Sequence, residues 1–201
     1  MRKHLIQAFT FAALVISAAS AQADDIRIDD PSYGGTGCPA GTVSTAVSPD
    51  HKELSILFDS YSADAGGNTG KSFDRKSCNI AIPVHVPNGY SVSLFKIDYR
   101  GFNSVPAGGR SQFNVEYFFA DSRGPRTSKT FYGPQSKDFF FTNDIGVEAM
   151  VWSRCGADTI LRVNTGLLVQ TNSRYEQANA TLDSADVSSA LVYHFEFRRC
   201  P

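Results

Sequence analysis

The stretch Ser91 to Arg100, SVSLFKIDYR, decides the class of fold. Phe95, Ile97 and Tyr99 fall on one face of an extended chain, and Lys96, Asp98 and Arg100 fall on the other. A helix repeats about every 3.6 residues and would scatter these side chains; a strand repeats every two and sorts them into an apolar and a polar face. The same alternation recurs outward in both directions. Upstream, Ile80, Ile82, Val84 and Val86 share a face. Downstream, Phe113, Val115, Tyr117 and Phe119 oppose Asn114, Glu116 and Phe118. Leu161, Val163, Leu167 and Val169 oppose Arg162, Asn164 and Gln170, and Leu191, Tyr193, Phe195 and Phe197 oppose His194, Glu196 and Arg198. Half-buried antiparallel strands carry this signature.

Turn residues separate the runs. Pro87-Asn88-Gly89, Pro106-Ala107-Gly108-Gly109, Arg123-Gly124-Pro125 and Gly133-Pro134 combine fixed φ at proline with positive φ at glycine. Ten or so strands with aromatic inner faces predict an all-β, antiparallel two-sheet sandwich or jelly roll, with a closed barrel as the alternative. A short helix is expected near Tyr175 to Ala180.

Residues 1–23 read as a cleaved secretory signal: Arg2 and Lys3, a short apolar core from Ala8 to Ala19, then Ala21-Gln22-Ala23. The apolar run is too short for a membrane span. Residues 24–37, acidic and then glycine-rich, are expected to form a flexible arm, with one domain over 38–201. The full chain has 19 Lys and Arg against 20 Asp and Glu. Cleavage removes two of the basic residues, which argues against bulk attraction to nucleic acid. Export places Cys38, Cys78, Cys155 and Cys200 in an oxidising compartment, extracellular or periplasmic. Of the three possible pairings, Cys38–Cys78 and Cys155–Cys200 each staple one half of the chain. A zinc site is disfavoured, because no CxxC pair exists.

Ala65-Gly-Gly-Asn-Thr-Gly-Lys-Ser72 mimics a phosphate loop. Such a loop needs a helix directly after it, so that helix amides meet the phosphates. A strand pattern with a proline follows instead, so no nucleotide site is expected. Gly-x-Ser-x-Gly is absent, and His51, His85 and His194 lack ligand spacing. Neither a metal nor another cofactor is implied, although the loops Asp183–Ser189 and Cys155–Asp158 carry oxygens that calcium accepts. Glu116 and Glu196 would make a glycosidase-like pair only if their strands were neighbours.

The polar strand positions remain. Lys96, Asp98, Arg100, Asn114, Glu116, Arg162, Asn164, His194, Glu196 and Arg198 are read as one mixed-charge face, with Tyr33, Tyr61, Phe73, Phe102, Tyr132 and Tyr175 as aromatic platforms in nearby loops. A face of that composition suits a glycan or a protein ligand.

The stretches GTGCPAGTVS (Gly35 to Ser44), LFDSYSA (Leu57 to Ala63), IPVHVPNGYSVSLFKIDYRGF (Ile82 to Phe102), EYFFADSRGPR (Glu116 to Arg126), LRVNTGLLVQTN (Leu161 to Asn172) and DSADVSSALVYHFEFRRC (Asp183 to Cys200) resemble a secreted family catalogued as domain of unknown function 4360. The resemblance implies a secreted, cysteine-containing, mostly β domain and carries no catalytic residues. The expected function is therefore non-catalytic binding or an association with the cell envelope. The alternatives are a carbohydrate-active enzyme or glycan-binding module using the polar face, and a secreted effector acting through a protein partner.

Overall fold

The computed structural model describes residues 26–119, 124–182 and 191–201. The signal segment 1–23 and the calcium-candidate loop Asp183–Ser189 lie outside the described residues. In chain order the strands are β1 (Arg27–Ile28), β2 (Ser32–Gly34), β3 (Val43–Val47), β4 (Glu53–Phe58), β5 (Ser62–Ala65), β6 (Phe73–His85), β7 (Tyr90–Val105), β8 (Arg110–Phe119), β9 (Arg126–Tyr132), β10 (Gln135–Asp144), β11 (Thr159–Gln170), β12 (Ala178–Thr181) and β13 (Leu191–Arg199). They form two antiparallel sheets. The six-stranded sheet has the order β1-β6-β11-β8-β9, with β2 also on β6. The seven-stranded sheet has the order β3-β4-β13-β7-β12-β5, with β10 also on β7.

The sheets pack face to face, as the aromatic alternation requires. Tyr99 of β7 meets Phe113 of β8 edge-on at 5.2 Å between ring centroids. Phe131 of β9 meets Phe139 of β10 at 4.8 Å. Two polar contacts cross the core: Ser111 Oγ donates to Asn103 Oδ1 at 2.6 Å, and the Tyr61 and Thr165 hydroxyls lie 3.0 Å apart. The fold is thus a two-sheet antiparallel β-sandwich rather than a closed barrel. Two disulfides staple it, Cys38–Cys78 and Cys155–Cys200, the pairing preferred from the sequence.

Four local expectations give way. The arm 24–37 carries β1 and β2, both paired with β6. The reason is the open edge of β6, whose unpaired backbone groups need partners; Ile28 is buried there. The region near Tyr175 to Ala180 supplies β12 rather than a helix. Ala178 and Ala180 alternate into the core, and β5 and β7 flank the strand on its two sides. Phe95 does not join Ile97 and Tyr99. His194 pairs with Lys96 and Phe195 with Leu94, so Phe95 is an extra residue in a bulge. The bulge flips the phase of β7: Val92 and Leu94 point inward before it, Ile97 and Tyr99 after it, and Phe95 is left 39% exposed. Tyr61, expected as a surface platform, is in the core.

The phosphate-loop mimic is a turn between β5 and β6. Gly66 and Gly70 have φ of 72° and 67°, with a single 3-10 turn, Gly67–Thr69, between them. Gly66 N–H donates to the Lys71 carbonyl and Gly67 N–H to that of Tyr175. Lys71 Nζ lies 3.1 Å from Asp74. The Gly66 and Gly67 amides and the Lys71 ammonium are thus engaged within the protein. Among the described residues no helix is long and apolar enough to cross a membrane.

Candidate functional site

The outward side chains of the six-stranded sheet stand in cross-strand rows fixed by register. One row runs Ser77, Gly166, Asn114, Ser128 across β6, β11, β8 and β9. The next runs Asn79, Asn164, Glu116, Arg126. Their inward neighbours, such as Ile80, Val163 and Val115, are core, so burial on one face obliges these polar groups to the other.

Gly166 makes the surface concave. Where its neighbours carry side chains it carries none, and a Cβ added there would meet nothing nearer than the Lys76 carbonyl at 4.0 Å. A glycine inside a strand often marks such an open approach to the backbone. The result is a groove of about 210 Å³, lined by Arg75, Asn79, Asn114, Glu116, Arg126 and Asn164 around Gly166. None of these six side chains makes a hydrogen bond or ion pair within the protein among the described residues. Each amide offers two donors and an acceptor. Two rows away, Phe73 on β6 and Tyr132 on β9 flank the same face, 59% and 70% exposed.

The residues read from the sequence as one face divide between two. Glu116 and Arg162, with Asn114 and Asn164, stand on the six-stranded sheet. Lys96, Asp98, Arg100, His194, Glu196 and Arg198 stand on the seven-stranded sheet, whose outer face points the opposite way. For the same reason the Glu116–Glu196 pair fails: the whole core lies between those strands, and the two carboxylates cannot flank one bond. Arg75, Ser77, Asn79, Arg126 and Gly166 were missed. The only trace of them in the sequence is Gly166 interrupting its strand and the polar residues alternating ahead of Ile80.

Residues 24–200 match a family described as a domain of unknown function, DUF4360. The chain belongs to this family. A curated relative from Arthroderma benhamiae, an uncharacterized secreted protein, is 33% identical over 178 residues, covering 88% of this chain and 73% of the relative. Among solved structures, TmCBM61 in complex with beta-1,4-galactotriose is similar at a TM-score of 0.29 and 9% identity, covering 85% of this chain and 88% of that one. This DUF4360 protein is secreted, and its two disulfides fit that compartment.

The opposite face of the DUF4360 fold holds a self-contained cluster. His194 Nδ1 lies 3.0 Å from Glu53 Oε1, and its Nε2 lies 2.9 Å from Asp98 Oδ2. Asp98 also accepts from Thr142 Oγ1 at 2.6 Å and pairs with Lys96 at 3.3 Å. Both imidazole nitrogens and both Asp98 oxygens are therefore engaged. Arg100 rests over the Phe140 ring at 5.1 Å, and Arg198 over Trp152 at 3.9 Å. At one end of the sandwich a cleft of about 590 Å³ contains His85. Asp158 closes on it there, 2.7 Å from His85 and accepting from the Val86 amide. No group of three His, Cys, Asp or Glu side chains among the described residues is arranged to hold a metal.

Burial would push the Asp98 carboxyl up, but hydrogen bonds from Thr142, His194 and Lys96 outweigh it and hold the carboxyl below its ordinary value. A lowered folded pKa adds stability that is complete above the unfolded value and lost as pH falls through the folded one. Asp98→Asn is therefore expected to flatten the decline of the urea midpoint from about pH 4 downward. A decline as steep as in the wild type would show that Asp98 does not carry this acid sensitivity.

Proposed function

We propose that this secreted β-sandwich is a non-catalytic glycan-binding module whose site is the groove over Gly166, exported by the segment 1–23 and folded as one domain. One observation carries the reading: a concave row of planar amides, a carboxylate and guanidinium groups has no hydrogen-bonding partner among the described residues. Unengaged polar groups in a groove match the dense, directional hydroxyl pattern of a sugar. Phe73 and Tyr132 supply apolar faces on which a pyranose ring can stack. The contrast with the opposite sheet supports this choice, because its charged cluster is already satisfied internally. An enzyme reading lacks a second carboxylate, since Glu116 is the single carboxylate among the described outward positions of β6, β8, β9 and β11.

The test is to fill the groove without disturbing the core. The space beyond Gly166 accepts a side chain, and removing a strand glycine tends to stabilise by a few tenths of a kcal/mol or more. Gly166→Leu is expected to keep the melting temperature of the oxidised protein at or above the wild-type value. It should weaken binding to immobilised cell-wall polysaccharide at least tenfold, which corresponds to about 1.4 kcal/mol. Wild-type affinity in the filled variant would remove the groove from consideration.

A further inference from the structure

The charge on the grooved face is one-sided. The outward positions of β6, β8, β9 and β11 include Arg75, Arg110, Arg126 and Arg162 but only one carboxylate, Glu116. The chain as a whole has slightly more acidic than basic residues, so composition does not account for this excess. Nor does internal pairing. Arg110 Nε donates to Gln170 at 3.0 Å, but Arg75, Arg126 and Arg162 make no ion pair or hydrogen bond among the described residues. Glu116 sits directly opposite Arg126 in register and still forms no ion pair with it. On the other sheet the pattern is reversed: Glu53, Asp98, His194 and Lys96 pair with one another.

We infer that the ligand of the groove is an acidic polysaccharide bearing uronate carboxylates. This rests on the glycan reading above and deepens it. A guanidinium presents its N–H donors in a planar fork that matches a carboxylate with two parallel hydrogen bonds. Amides beside it, here Asn79, Asn114 and Asn164, suit the hydroxyls of the same sugar. The spacing favours a polymer over a free anion. Arg75 on β6 and Arg126 on β9 are separated by three strand spacings, at least about 14 Å between backbones, and both border the same groove. A single small anion does not reach both, whereas successive sugar units of a chain do.

The experiment compares one backbone with and without its charge. Oxidised protein, in the presence of a chelator, is titrated by calorimetry with polygalacturonate, with its fully methyl-esterified form, and with dextran sulfate. Polygalacturonate is expected to bind at least tenfold more tightly than the ester, with affinity falling as sodium chloride is raised. Arg75→Gln and Arg126→Gln, both exposed and checked for folding by circular dichroism, should each lose several-fold affinity for polygalacturonate and leave the weaker ester binding unchanged. Gly166→Leu should lose both ligands. Equal affinity for the acid and the ester would overturn the uronate inference while leaving the glycan reading standing. Binding to dextran sulfate as tight as to polygalacturonate, with the same arginine dependence, would overturn it in favour of a plain polyanion surface. Binding to neither polymer nor to a neutral glycan panel would overturn both.

Discussion

Replacing Cys38 and Cys78 together by alanine is expected to lower the unfolding free energy by about 4 kcal/mol in the chain-entropy model, since the bridge closes a loop of sequence separation 40. The bridge ties the segment after β2 to the middle of β6. Without it, the unfolded chain regains the freedom of that loop, and the core loses two fully buried sulfurs. The Cys155–Cys200 bridge closes a loop of nearly equal length, 45, so its entropic contribution is close to the same. Access is what separates the two. Cys38 and Cys78 are buried, whereas Cys155 is exposed and is bonded to Cys200, the penultimate residue. Thiol–disulfide exchange requires the attacking thiolate to reach a sulfur. Graded dithiothreitol followed by alkylation and peptide mapping should therefore open Cys155–Cys200 first. Urea denaturation of the two alanine pairs should then show similar losses. An unchanged midpoint for the Cys38/Cys78 variant would mean that this loop is restrained without its bridge.

These bridges and most of the strands were legible because each reports on a local rule. Ile80, Ile82, Val84 and Val86 alternate because one face of β6 is core, and the sequence must repeat that choice at every second residue. What local rules do not encode is insertion and partnership. Nothing in SVSLFKIDYR marks Phe95 as the extra residue, because the bulge is defined by its partner β13, about a hundred positions away. β12 escaped notice because its inward residues are only Ala178 and Ala180, too small to announce a buried strand. The site suffered most. Alternation states that Glu116 and Glu196 face outward, but not that outward means opposite directions. Only the order of strands within each sheet divides the polar residues into a satisfied cluster and an unsatisfied groove. Gly166 had meaning only once Ser77 and Asn114 were known to stand on either side of it.

Phe113→Ala is expected to cost about 3–5 kcal/mol, the range for removing a buried phenylalanine. The ring is fully buried on β8 and faces the opposite sheet, edge-on to Tyr99 at 5.2 Å and 6.2 Å from Phe141. It is where β8 of one sheet grips β7 and β10 of the other, so its loss combines transfer of the ring to water with a cavity that neighbouring strands, held by their ladders, cannot collapse to fill. Edge-to-face pairing adds about 0.5–1.5 kcal/mol beyond buried area for such rings. Phe140, one position away from Phe141 and pointing outward, provides the control. It is 58% exposed and capped by Arg100, so Phe140→Ala should cost under about 1 kcal/mol. Urea unfolding with an unchanged slope makes the comparison direct. Equal losses for the two variants would mean that the sheets are not closed on each other at β8. The groove above Phe113 would then lack the rigid backing that fixes the spacing of Asn114, Glu116 and Arg126.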